Sequence, residues 1–354
     1  MKAQLPASEI ARIVLIVGGI VALALLAWYL AEVLLLAFAA VLFACVLRGV
    51  SDLIEERTPV PAKASFAVAC VLMASAIAGF VFLLGMQVQN QLGTLINELP
   101  DTIRALGNRV GVSNLDAIVS ERVPNFLQNG ALGSIAGLSS GVLGAVSSLL
   151  IVLVGGIYLG LTPLEYRSGF LFLFPRQNRQ VISDALDNTG RALRLWLLGQ
   201  LLVMVSIGVL TWIALVFIGI PSALALAFIA GVLEFIPFIG PILAAIPALL
   251  IALTLDDPYK VLWVLGAYLI VQQLENNILV PLIQRRTVSL PPVLGLFSLL
   301  AFGILFGILG ILLAIPLTVV LLVLVKHLYV REGLDEEVSL PGEPADKTRT
   351  FEAE

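Results

Sequence analysis

Apolar residues fill this chain in runs long enough to cross a bilayer, and the interruptions of those runs carry most of the information. A helix crossing a hydrocarbon core of ~30 Å takes roughly 20 residues. The runs at 10–30, 33–47, 64–86, 138–161, 196–218 and 261–283 each predict one span. Two further apolar stretches, 222–255 and 293–327, are too long for one span and are broken in the middle. In the first, "VLEFIPFIGPILAAIPALL" sets Glu234 beside a break at Pro237, Gly240 and Pro241, with Pro247 further on. Its flanks, 222–235 and 242–254, reach only about 21 and 20 Å as helices. In the second, the arm 293–306 is similarly short, and Gly303, Gly307 and Gly310 mark the break. Proline removes a backbone donor, and an unmade hydrogen bond in hydrocarbon costs several kcal/mol. Two helical hairpins that turn back to their own side explain these lengths better than four complete spans. The pattern predicts an all-α integral membrane protein of about eight membrane segments, two of them broken or re-entrant hairpins.

The two broken stretches share a phrase. "ILAAIP" at 242–247 returns as "ILLAIP" at 311–316, each after a glycine break and each ending an arm at proline. That equivalence predicts a repeat whose hairpins enter from opposite faces, the inverted pair used by many transporters. Around it the chain divides into spans one to three (1–86), an extramembrane amphipathic segment (87–137), a fourth span with an Arg-rich segment (138–195), a core holding both hairpins (196–330), and an acidic tail (331–354) expected to be disordered. In the amphipathic segment Leu92, Ile96, Leu99, Ile103, Leu106 and Val110 recur at spacings of four and three, interrupted by Pro100. This seam is expected to pack on the membrane face or between subunits.

Composition removes the soluble alternatives. The chain is 60% apolar and 12% charged, with mean hydropathy +1.05, whereas soluble domains carry about 25% charged residues. The first run is too long for a signal-peptide core and reads as a retained span. The positive-inside rule places the Arg-rich 162–195 segment, the 48–63 loop and both termini in the cytoplasm. Arg104, Arg109, Arg122 and Lys260 are then the only basic residues outside. Cys45 and Cys70 lie within apolar runs and read as small buried hydrophobes, and His327, beside Lys326, reads as interfacial. There is no Gly-x-Ser-x-Gly with a partner histidine, no His-Glu-x-x-His and no pair of intramembrane aspartates. An enzyme, a cofactor, a metal and a nucleic-acid partner are not expected.

The candidate chemistry sits between the hairpins, in "VQQLENNILVPLIQRR" at 271–286. Gln272, Glu275 and Asn276 fall on one helical face, with Gln273 and Asn277 adjacent. Counting inward from Arg285, Glu275 lies about 15 Å deep, near the bilayer midplane. An acid there costs roughly 2.5–3.5 kcal/mol, so it normally faces a protein interior or a water-filled path. The amides alone could be interhelical glue, worth ~0.6 kcal/mol each, which leaves the carboxyl unexplained. Glu234 ends the first arm of the first hairpin at a depth of about 18 Å, where non-helical backbone is tolerated if it lines a cavity. The two carboxyls are expected to form an ion or solute site, able to exchange a proton or to ligate a hard cation with Asn276. Gly303, Gly307 and Gly310 are expected to line it from the other hairpin.

These residues carry a resemblance to the autoinducer-2 exporter (AI-2E) family of prokaryotic membrane proteins, from about Ile13 to Tyr329. The stretches that carry it are "RLWLLGQ" at 194–200, "EFIPFIGPILAAIP" at 234–247, "QQLENNILVP" at 272–281 and "FGILFGILGILLAIPL" at 302–317. The resemblance implies a multi-pass exporter or permease of the prokaryotic cytoplasmic membrane, homo-oligomeric (a pentamer is one option), with a small-molecule solute and H+ or Na+ as partners beside the lipid bilayer. Some relatives are proposed as sodium/proton antiporters, which leaves that activity, and an oligomeric channel, as alternatives. The chain departs from the family pattern at Leu290, where histidine is common, and at Phe238, where tyrosine is common. A histidine-based proton relay is therefore not expected at Leu290.

Overall fold

The computed structural model describes residues 7–79, 82, 132–255, 257–284, 290–336 and 338. The amphipathic seam at 92–110, Arg285 and Arg286, and all but the start of the acidic tail lie outside the described residues. Among those described, the secondary structure is helical throughout. The helices are α1 (Ala7–Tyr29), α2 (Ala31–Arg57), α3 (Ala62–Gly79), α4 (Leu132–Leu161), α5 (Pro163–Phe172), α6 (Arg179–Ile218), α7 (Ala223–Leu233), α8 (Ile239–Leu253), α9 (Tyr259–Leu274) and α10 (Pro292–Leu324). A π-helical turn, Glu275–Leu279, carries α9 on to Gln284, and another, Val325–Arg331, extends α10. Four of the described helices are long and apolar enough to span a membrane, five if the α4–α5 pair, bent by 90°, is one broken span. Many large apolar side chains point outward, among them Leu23, Val71, Phe217, Trp263 and Ile304, as a lipid-facing surface requires.

The Arg-rich segment is helical, which its charge pattern did not suggest. Pro163 starts α5 at N1, where a missing donor costs nothing. The chain then enters α6, 40 residues long and about 60 Å, whose polar first half continues into the apolar second half. Basic residues gather at that first end. Arg194 pairs with Asp52 at 2.9 Å, Arg167 with Ser183 and Asp187, and Arg48 donates to the Gly160 and Leu161 carbonyls. Lys260 lies at the opposite end, against the Gly219 carbonyl. His327, expected at the interface, is buried at the first end beside Asn188.

α6 ends in a Schellman turn. Gly219 is left-handed (φ 75°), Ile220 N–H returns to the Leu215 carbonyl at 3.0 Å, and Pro221 prevents continuation. The next two helices form the first hairpin. Ile220, Ala223 and Leu226 from its start share one buried cluster with Ala248 and Ala252 from its end, so the arms run antiparallel and their open ends lie together. The arms are 11 and 15 residues, unequal where the sequence suggested near equality. The tip is tight enough to demand glycine: a Cβ at Gly240 would stand 2.0 Å from the Leu233 carbonyl oxygen.

The stretch Pro292–Arg331 is also folded back on itself. Gly307 adopts φ 63°, ψ −143°, a region open essentially to glycine. A Cβ at Gly310 would meet the Phe302 carbonyl oxygen at 1.9 Å, one at Gly303 would meet Ile311, and Gly295 faces Ile315. The chain therefore reverses at Gly307, and the two motif glycines, Gly240 and Gly310, make the same contact in their respective hairpins. The second hairpin runs deeper than expected. Its tip residue Phe306 lies tilted against Trp28 at the end of α1, with centroids 6.1 Å apart, while its return arm reaches His327 and Asn188 at the far end of the bundle.

Candidate functional site

The first hairpin delivers Glu234 to α6 and α9. Leu233 and Glu234 close the first arm, and the turn 234–238 ends on Phe238 with φ 68°, a strained value for an aromatic residue. Two contacts hold this tip. Gln200 of α6 donates to the Glu234 carbonyl at 2.8 Å, and Trp196, one turn earlier, packs edge-on against Phe235 with centroids 6.0 Å apart. Opposite, Glu275 opens the π turn of α9. Such turns add a residue to the helix and recur at functional sites. Here the turn breaks the regular spacing just as the polar face begins. Tyr268 donates to the Ala244 carbonyl at 3.1 Å, tying α9 to the second hairpin arm.

Both carboxyls are buried, Glu234 at 3% and Glu275 at 6% exposure, and they neighbour each other at the edge of one cavity. Gln272 Nε2 donates to Glu275 Oε2 at 2.8 Å. Ionised carboxylates only accept, so two of them brought together need a shared proton to bond directly. A cation seated between them would satisfy the same oxygens. The pair opens onto a cavity of ≈ 560 Å³ lined by α6, the first hairpin, α9 and the start of α10. Glu234, Pro237, Pro241, Gln272, Glu275 and Asn276 all line it. Gln200, which holds the Glu234 carbonyl, lies roughly 9 Å along α6 from Arg194 and roughly 22 Å from Leu215.

Other expected residues lie elsewhere. Gln273 and Asn277 bond to each other at 3.1 Å on the opposite, exposed side of α9. Gly240 packs inside the hairpin, and Gly303, Gly307 and Gly310 hold the distant tip of the second hairpin. They are shaping residues, away from the cavity, because that hairpin meets the site with its base, at Pro292, Gly295 and Ile315, and its tip lies beyond. The sequence reading missed the roles of Trp196 and Gln200. Their signal was present in "RLWLLGQ", but nothing local in that phrase points to a partner in another helix. It likewise missed Leu290, Pro291, Pro292, Gly295 and Ile315, which close the cavity.

Residues 17–330 match the model of the AI-2E family transporter family. The chain belongs to the AI-2E transporter family. It is thus a multi-pass membrane protein of a family of transporters. AI-2E relatives include the AI-2 transport protein TqsA of Escherichia coli (strain K12), 26% identical over 87% of this chain and 90% of that protein. Two proteins of Bacillus subtilis (strain 168), each named "Putative transport protein", are also similar. YueF is 27% identical over 77% of both chains, and YrrI is 40% identical over 44% of either.

Proposed function

We propose that this AI-2E chain is a secondary transporter of the cytoplasmic membrane that exports a small polar solute, such as an autoinducer-2-like signal, coupled to H+ or Na+ at the Glu234–Glu275 pair. The observation that carries the reading is that pair. Two buried carboxyls, one on a hairpin tip and one on a π turn, face a cavity large enough for a solute. Intramembrane ionisable groups of this kind mark ion and substrate pathways. The matching contacts of Gly240 and Gly310 support an inverted repeat, and the charge asymmetry of α6 supports a cytoplasmic Arg-rich end. Roles follow from position. Glu275 holds the coupling ion, Gln272 and Asn276 complete its polar shell, and Glu234 closes it from the hairpin tip.

Sodium/proton antiport is the second reading, favoured because the cavity's charged lining among the described residues is carboxylate alone. The test is flux in proteoliposomes with imposed proton and sodium gradients, using autoinducer-2 and a panel of small polar solutes. Saturating solute flux that follows a counter-gradient supports the exporter. Cation exchange without solute flux supports the antiporter, and non-saturating flux indifferent to any gradient would make the chain a channel.

A further inference from the structure

α9 and its π turn carry amides on two opposite faces, and the cavity uses only one of them. Gln272 and Glu275 turn toward the cavity, whereas Gln273 and Asn277 stand exposed on the other side, joined by one hydrogen bond of 3.1 Å. The helix runs unbroken from Tyr259 to Gln284, so Gln273 lies roughly 21 Å from one end and roughly 16 Å from the other. The apolar pattern predicts this stretch as a span, and at that depth lipid offers neither donor nor acceptor. The Gln273–Asn277 bond uses one donor and one lone pair and leaves the rest of both amides unmatched by lipid. The two amides belong to a longer stripe. Trp263, Gly266, Ile270, Gln273 and Asn277 recur at spacings of three and four, the a/d pattern of a helix that packs against another helix. Trp263 is 66% and Ile270 62% exposed, and a Cβ on Gly266 would meet nothing within 4 Å. Among the described residues the stripe is left open.

What covers it follows from symmetry. Copies of one chain inserted with one topology are related by an axis normal to the bilayer, so along that axis each residue meets its counterpart at its own depth. Gln273 and Asn277 of one copy then face Gln273 and Asn277 of the next. An amide both donates and accepts, so these identical surfaces match, and a small residue at 266 lets the helices approach. We infer that α9 is a subunit interface: its 263–277 stripe packs in parallel against the same stripe of a second copy, with the Gln273 and Asn277 amides hydrogen-bonded across the contact. One π turn then presents Glu275 to the cavity and Asn277 to the neighbouring subunit. The contact does not depend on what the cavity carries.

The test is disulfide cross-linking of the full-length chain in its membrane. Cys45 and Cys70 are first replaced by alanine, and single cysteines are then introduced by Gln273→Cys, Ile270→Cys and Val205→Cys. Val205 is 64% exposed on α6 and lies near the level of Val271, since Val203, Ile207 and Val271 share one buried cluster. It is the control for chance collision at that depth. On oxidation with copper phenanthroline, Gln273→Cys and Ile270→Cys are expected to give about tenfold more covalent dimer than Val205→Cys, because thiols held in contact react as one unit. A second variant, Gln273→Leu with Asn277→Leu, is diluted in detergent while native mass spectrometry follows the subunit number. Loss of the interhelical amide bonds should raise the concentration at which it dissociates by about tenfold. A stripe that faces lipid would show no such change, because leucine suits lipid at least as well as an amide. Dimer at Gln273→Cys no greater than at Val205→Cys, the result if lipid or another part of the same chain covers the stripe, overturns the inference. So does a leucine variant that dissociates at the parent's concentration.

Discussion

Gly240→Ala is the substitution whose consequence the geometry fixes most closely. The added Cβ would lie 2.0 Å from the Leu233 carbonyl oxygen, 2.6 Å from its carbonyl carbon and 3.1 Å from the Glu234 nitrogen. An ordinary carbon–oxygen contact is about 3.3 Å or longer, so the two arms must part by roughly 1.3 Å at the tip. The obstructing atoms are backbone, with no rotamer to swing away. Overpacking costs about 1–3 kcal/mol, occasionally more, and a rigid obstacle places this case at the upper end, about 3 kcal/mol. The displacement falls on the residue next to Glu234, and ~1.4 kcal/mol of misalignment there is already tenfold in site occupancy. Gly266→Ala on α9 is the control. Its Cβ meets nothing within 4 Å, and alanine in a helix interior is favoured by up to ~1 kcal/mol. Thermal unfolding in detergent and proteoliposome flux should both separate the pair. Gly240→Ala melts lower and loses flux by tenfold or more, while Gly266→Ala melts at or slightly above the parent and keeps its flux. A Gly240→Ala protein with unchanged melting and flux would refute the tight antiparallel tip.

Single cysteines at Ser222 and Asp257, at the open end of the first hairpin, should be labelled from the same side by an impermeant reagent; labelling from opposite sides would show one kinked span. Gln200→Leu removes the amide that holds the Glu234 carbonyl at 2.8 Å, and should cost ~1 kcal/mol of stability with a clear fall in transport; transport at the parent level would show that the tip needs no such anchor. Asp52→Asn breaks the 2.9 Å pair with Arg194, but both side chains are substantially solvent-exposed. The loss should stay below ~1 kcal/mol, and a larger drop in melting temperature would mean that this pair is more shielded than it looks.

Hydropathy was enough to announce a multi-pass helical protein, and helix breakers within apolar stretches were enough to announce two hairpins. Proline and glycine act locally, through a missing donor or an unusual φ, so their effect can be read without knowing the neighbours. The pairing of Glu234 with Glu275 was half legible: each stood out as a charge in hydrocarbon, but the contact between them comes from tertiary packing. The depth of the second hairpin was not legible. Its glycines looked the same as those of the first hairpin in sequence, and only the Trp28–Phe306 contact puts them at the far end. The π turn at Glu275 was also hidden, because a one-residue insertion into a helix leaves no mark in an apolar pattern. Gln200 was invisible for another reason, since a single amide in an apolar run has no local feature to distinguish an anchor from glue. The helical character of 163–195 was obscured by its charge, which reads as a loop when only the membrane runs are scored.

The central claim is that the Glu234–Glu275 pair couples ion movement to transport, and Glu275→Gln tests it most directly. The substitution keeps the shape and the Gln272 contact while removing the charge. Parent and variant should be reconstituted at equal density and compared for flux under imposed proton and sodium gradients. The account predicts a variant that assembles and melts like the parent but whose flux collapses or loses its dependence on the gradients. Full flux with unchanged proton and sodium dependence would contradict it and reduce the carboxyl pair to structural glue.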